Sequence, residues 1–445
     1  MSAIQSTQEL LQPIGFDTPV AESKTVLLSP GKEWRARIPA ESKLTIKIVY
    51  GIAELFGTEL ANGVEYTIQC ANIAVYSVDH VKLEWKSLDE LETTVSPDTN
   101  MPYLYNLHFA LEKMRLSSFD GPRILVVGKA SSGKTSLCKI LCSYALKSKA
   151  YTPIYVNLNP QEGAFSPPGF LTATPISDIL DVESTMWGQS MTTGATKLHN
   201  KQPMVKNFGL EMIAENRPLY MEVLGQLAQT VDGRLKNDPL VRRSGVIVDS
   251  PPLQHLDESY TELEVAITKF NIKTLVVCAP DDSLAVELSD RFQTLVRSIV
   301  RIPTSRGICN IDDVARRALQ RSQIREYFYG NGSTVLSPYT IGVDLLDAVV
   351  WRPKSSLTID MSKTSPNMVE LERVEVTAAN LQHALVAITY APRKSTAEEV
   401  FRSGVLGVAL ITEVNDAKRK MRILLPVPGR LPDKAMILTA YRYLE

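Results

Sequence analysis

The hydrophobic pattern changes style three times along the chain. From about residue 23 to Trp85 it alternates every second residue: in KLTIKIVYG, Leu44, Ile46 and Ile48 fall on one face and Lys43, Thr45 and Lys47 on the other. GVEYTIQ, NIAVYSV and VKLEWK repeat this, broken by Gly and Asn, so a small β-sandwich or barrel is expected. The acidic, Pro-containing stretch LDELETTVSPDTNMP then reads as a linker. After it, Leu104, Leu107, Leu111 and Met114 recur at helical spacing, as a packing stripe does.

From Arg123 onward the strands RILVVG, PIYVNLN, GVIVDS and KTLVVCAP are apolar almost without a break and alternate with helical segments. Strands of that kind are buried on both faces, which predicts a parallel sheet flanked by helices. HALVAITYA, GVLGVALITEV and KMRILLPVPG return to β pattern, with NDAKRK as a hairpin turn between the last two. The resulting organisation is a polar tail (1–22), an N-terminal β domain (23–98), a central α/β domain (99–329) and a C-terminal α/β domain (330–445).

Composition narrows the functional classes. Across 445 residues, Lys+Arg 48 against Asp+Glu 49 leaves a net charge of −1, so contact with nucleic acid or an anionic membrane has to be local. The five cysteines are scattered without CxxC spacing, which argues against a zinc site or a disulfide framework and for a reducing compartment. The N-terminal residues do not read as a secretory signal, and no apolar run is long enough to span a membrane.

The chemistry concentrates in GKASSGKTS, Gly128–Ser136, which fits the phosphate-loop pattern G-x-x-x-x-G-K-[ST] directly after a buried strand and before a helix. Gly128 and Gly133 let backbone N–H groups turn onto phosphate oxygens at a helix N-terminus. Lys134 supplies charge to the outer phosphates, and the Thr135 hydroxyl is a Mg²⁺ ligand candidate. Asp249, closing the strand GVIVDS, is placed to reach that Mg²⁺; the alternative is a turn or cap aspartate before Pro251 and Pro252. At the end of PIYVNLNPQ, Asn157 and Asn159 stand where a transferase needs a carboxylate, and an amide takes no proton at neutral pH. Glu162 is a substitute base three residues on. Arg316, Arg317, Arg321 and Arg325 form either a lid over the phosphates or a solvated face obeying the helix dipole.

GIAELFGTEL, GPRILVVGKASSGKTS, IREYFYG and LLPVPGRLPDKAMILTAYRYLE together resemble the polynucleotide 5′-hydroxyl kinase family, over nearly the whole chain from about residue 25. Within it they are most similar to the fungal ATP-binding subunits of mRNA 3′-end cleavage factor IA. The resemblance implies a β-sandwich, a P-loop domain holding ATP and Mg²⁺, and a C-terminal domain. It places the adenine contact on Glu33, with Asn72 where the family has a lysine, and the phosphate contacts on Ser131, Ser132, Gly133, Lys134, Thr135 and Ser136. The departures bear on activity. The family's D-x-D-x-x-Q aspartate is Asn157 here, its RNA-stacking aromatic is replaced by Pro251 and Pro252, and two of its lid arginines are Gln320 and Gln323. These features imply a nuclear subunit of the pre-mRNA cleavage and polyadenylation machinery that keeps ATP as a structural cofactor. Its expected partner is the scaffold subunit that also reads the RNA polymerase II tail. The competing expectations are an active RNA 5′-hydroxyl kinase using Lys134, Thr135, Asp249 and Glu162, and a slow ATPase switch.

Overall fold

A computed structural model describes residues 21–188, 203–354 and 370–444. Most of the expected polar tail lies outside the described residues. The N-terminal region is a sandwich of a four-stranded and a five-stranded sheet. Leu44, Ile46 and Ile48 are fully buried between the sheets with Trp34 and Leu83, so the alternation of KLTIKIVYG does set the inward face. Between two sheets, each such side chain removes enough apolar area from water to contribute about 1.5–3 kcal/mol.

The helix Met101–Ser117 follows, with Leu104, Leu107 and Leu111 buried. Met114, expected on the same stripe, is 36% exposed, and Arg115 is buried in its place. The Arg115 guanidinium is held by its Nε donating to the Ser244 carbonyl at 2.9 Å and by the Tyr151 ring at 5.3 Å. A long stem with a planar, pairable head fills an interhelical slot that a run of apolar letters does not reveal.

The central sheet has seven strands in the order Met204–Asn207, Phe170–Pro175, Ile154–Asn157, Val246–Asp249, Arg123–Gly128, Thr274–Cys278 and Ser298–Ile302. The last five are parallel, and the first two add antiparallel. Ile124 and Val126 join one core beside helices Met101–Ser117 and Lys134–Lys149. Leu125 and Val127 join the opposite core with helices Arg217–Asn237 and Thr261–Lys269. Burial on both faces is why these strands lack alternation.

The C-terminal region is a second seven-stranded sheet, in which Val405–Asn415 and Lys420–Leu425 form the expected hairpin. The central region is gripped from both sides, by the β-sandwich at the phosphate-loop helix and by the C-terminal region at Pro160 and Tyr327. From the β-sandwich, Glu54 accepts from Tyr144 Oη at 2.6 Å and Lys147 Nζ at 2.8 Å. Gly57, at φ +75°, approaches so closely that a Cβ there would lie 3.1 Å from Ile140 Cα. From the other side, Tyr441 donates to the Pro160 carbonyl at 3.1 Å and Tyr327 accepts from the Val408 amide at 2.9 Å.

Candidate functional site

A cavity of about 320 Å³ opens between the β-sandwich and the C-terminal ends of the parallel strands. Glu33, Asn72, Ser131, Ser132, Gly133, Lys134, Thr135 and Ser136 all line it, so residues more than a hundred positions apart meet in one space. At its phosphate end Gly133 takes φ +87° and Ser131 φ +54°, the turn that points successive N–H groups inward before the helix begins at Lys134. Lys134 Nζ donates to the Lys129 carbonyl at 2.9 Å, which keeps the ammonium folded over the loop.

Asp249 stands behind the loop, 2% exposed, and its Oδ2 accepts from Thr135 Oγ1 at 2.8 Å and Tyr155 Oη at 3.1 Å. Its Oδ1 is buried without a partner. Burial drives the carboxyl up to about 6, against the pull of Lys134 and the Thr135 bond. Among the described residues no group of three or more His, Cys, Asp and Glu is arranged to hold a metal ion.

The amides in the acidic positions are committed elsewhere. Asn157, 3% exposed, donates to the Glu162 carbonyl at 2.7 Å and accepts from the Asn159 amide at 2.9 Å. Asn159 accepts from the Gln161 amide at 3.2 Å. These Asx turns shape the segment, and Asn159 also lines the cavity. Gln320 and Gln323 work likewise. Gln320 donates to the Gln161 carbonyl at 3.1 Å; Gln323 accepts from the Gly163 amide at 3.0 Å and donates to the Gly163 and Thr185 carbonyls. Of the lid candidates only Arg316 lines the cavity, paired with Asp313. Arg317 is exposed, Arg321 reaches the Leu444 carbonyl and Arg325 lies over the Tyr329 ring. Glu162 lines the cavity, and so does His255, whose imidazole pKa is lowered by burial, then by Arg316 and Lys134.

Sequence reasoning named Glu33 and Asn72 at the sandwich end of the cavity but missed Arg35 and the segment that follows the last parallel strand. Arg35 Nε donates to Glu33 at 2.5 Å, and the segment Pro303–Ile311 crosses the opening as a roof. A loop with no periodicity gives no signal for this role.

Fold and site together define a nucleotide-binding P-loop protein whose phosphate loop and N-terminal β-sandwich line one cavity. Family models match three successive stretches: the N-terminal beta-sandwich domain of polyadenylation factor (27–118), the mRNA cleavage and polyadenylation factor CLP1 P-loop (128–330) and the pre-mRNA cleavage complex II protein Clp1 (336–445). The mRNA cleavage and polyadenylation factor CLP1 of Kluyveromyces lactis is 56% identical over 425 residues, covering 95% of this chain and 97% of that protein. The protein of the same name from Saccharomyces cerevisiae is 51% identical, covering 94% of each. A solved complex of wild-type Clp1p with a Pcf11p fragment superposes with a TM-score of 0.89 at 50% identity, over 95% of this chain and 99% of that one. A second structure, described as showing an extended Pcf11p–Clp1p interface and the basis of ATP loss in a glycine-to-arginine mutant, gives 0.88. The chain belongs to the Clp1 family of mRNA cleavage and polyadenylation factors.

Proposed function

We propose that this chain is the ATP-binding subunit of a nuclear pre-mRNA cleavage and polyadenylation factor. In this reading it docks on a Pcf11-type scaffold subunit and holds ATP with Mg²⁺ as a structural cofactor rather than a phosphoryl donor. The observation that carries this is a contrast: the phosphate loop lines the cavity with its whole donor set, while the positions where a transferase needs a carboxylate hold the amides Asn157 and Asn159, whose side-chain oxygens accept from backbone N–H groups. The relatives' names and the Clp1p–Pcf11p complex support the assembly role. The orphaned Oδ1 of Asp249 beside Thr135 suits a hydrated Mg²⁺ shared with the outer phosphates, which would add charge neutralisation there. Proposed contacts are Glu33 and Asn72 at the base, Ser131 to Ser136 at the phosphates, and Thr135 and Asp249 at the metal.

Because the nucleotide bridges the sandwich and the central sheet, it stabilises the closed arrangement by mass action, by about 4 kcal/mol at a thousandfold excess over Kd. Chromatography of the nucleotide released on denaturing fresh protein tests this. Intact ATP near one per chain is expected, and Lys134→Ala should lose both the nucleotide and several degrees of Tm. Recovery of ADP instead would favour the ATPase switch. The competing reading is a kinase that uses Lys134, Thr135 and Asp249 with Glu162, in the cavity wall, as its base. Labelled-phosphate transfer to 5′-hydroxyl RNA that disappears in Asp249→Ala would establish it.

A further inference from the structure

The roof segment Pro303–Ile311 connects the edge strand Ser298–Ile302 to the helix Asp313–Tyr329, and Pro303, Ser305, Gly307, Ile308, Cys309 and Ile311 line the cavity. It is fastened at three places. Asn100 Nδ2 donates to the Pro303 carbonyl, Arg306 pairs with Asp98 at 2.8 Å, and the Ile311 amide reaches Ser131 Oγ at 3.4 Å. Between these points it rests on Arg35. A Cβ built on Gly307 would lie 2.6 Å from Arg35 Nε and 2.7 Å from its Cδ, so a side chain there makes the arginine or the roof shift. Arg35 is not free to yield: its Nε is bonded to Glu33 and its Nη2 to the Asp98 carbonyl. One guanidinium therefore holds the proposed base contact and props the roof, its two donors fixing it as a fork.

We infer that Arg35 is the positioning residue of the base end: it aims Glu33 and seats the roof at Gly307, so that nucleotide can leave only when this contact opens. The inference rests on the reading of the cavity as an ATP site. Any side chain at position 307 displaces either the roof or the guanidinium, and the second outcome also releases Glu33. Base selection and nucleotide retention are thus governed by the same contact.

The test uses the full chain loaded with labelled ATP and chased with unlabelled ATP, for the wild type, Gly307→Ala, Arg35→Ala and the double variant. Each single change is expected to speed release by about tenfold or more, the equivalent of about 1.4 kcal/mol. The double variant should be no faster than Arg35→Ala, because the obstacle met by the added methyl is gone. Arg35→Ala should also narrow the preference for ATP over GTP, which a merely structural role would leave unchanged. Wild-type release from Gly307→Ala, multiplied effects in the double variant, or an unchanged ATP/GTP ratio in Arg35→Ala would overturn the inference while leaving the ATP site standing. A wild type that takes up no ATP would overturn both. Arg35→Ala decides alone if Gly307→Ala does not fold.

Discussion

Thr135 donates its hydroxyl proton to Oδ2 of Asp249 at 2.8 Å, while the other carboxylate oxygen of Asp249 stays buried with no partner. An arrangement so incomplete is expensive by itself, since an unmet buried acceptor costs about 1–3 kcal/mol. A hydrated cation bound to phosphate would complete it. Chelation should therefore shorten nucleotide retention in the wild type. In Asp249→Ala, retention should already be short, by about ten- to a hundredfold, and should no longer respond to chelator. Filter retention of labelled ATP with and without EDTA checks this; equal EDTA sensitivity in both proteins would remove Asp249 from the metal site.

An aspartate at position 157 should not raise phosphate transfer. Asn157→Asp deletes the donor to the Glu162 carbonyl and sets a carboxylate against it in a site 3% exposed. The expected cost is about 2–4 kcal/mol, with no gain in phosphate transfer to 5′-hydroxyl RNA. Thermal melting and a transfer assay on the same preparation read both.

The segment carrying these amides is buttressed by the C-terminal region. Gly169 has φ +95°, and a Cβ there would lie 2.8 Å from the Tyr441 ring, whose hydroxyl holds the Pro160 carbonyl. Gly169→Ala combines a disfavoured backbone with overpacking and should lower stability by about 2–4 kcal/mol. Tyr441→Phe, losing one buried hydrogen bond, should cost about 1 kcal/mol. Melting curves rank the two, and the reverse order would show that the ring is not fixed.

Lys139 gives a pH dependence. Its ammonium lies 4.8 Å from the Phe56 ring centre and 5.1 Å from that of Trp187, and burial pulls its pKa down to about 8, with Glu162, Glu326 and Asp181 pulling back. The unfolded chain holds this proton up to about 10.5, so between about 8 and 10.5 it binds more protons than the folded chain and stability rises with pH. Lys139→Met, which keeps the stem, should be more stable than the wild type at pH 7, by about 1–2 kcal/mol, with the gap closing towards pH 10. Denaturant midpoints across that range measure it, and a pH-independent gap would count against the desolvation argument.

How much of this was legible follows from locality. Alternation in KLTIKIVYG and unbroken apolarity in RILVVG and GVIVDS each report the burial of their own strand, because side-chain direction is fixed by the backbone period. The strands Phe170–Pro175 and Met204–Asn207 carry no such pattern that stood out, and they occupy the edge where the C-terminal region docks.

The phosphate loop was readable because phosphate is bound by consecutive backbone N–H groups, and a consecutive run of residues is what a sequence records. The replacement of acid by amide at Asn157 was likewise visible as chemistry. What the amides do instead, how Gln320 and Gln323 are spent, and that Arg35 meets Gly307 were decided only by folding. The glutamine and Arg35 contacts join positions more than a hundred residues apart, and even the five-residue Asn157 turn depends on a backbone path that no local spacing encodes.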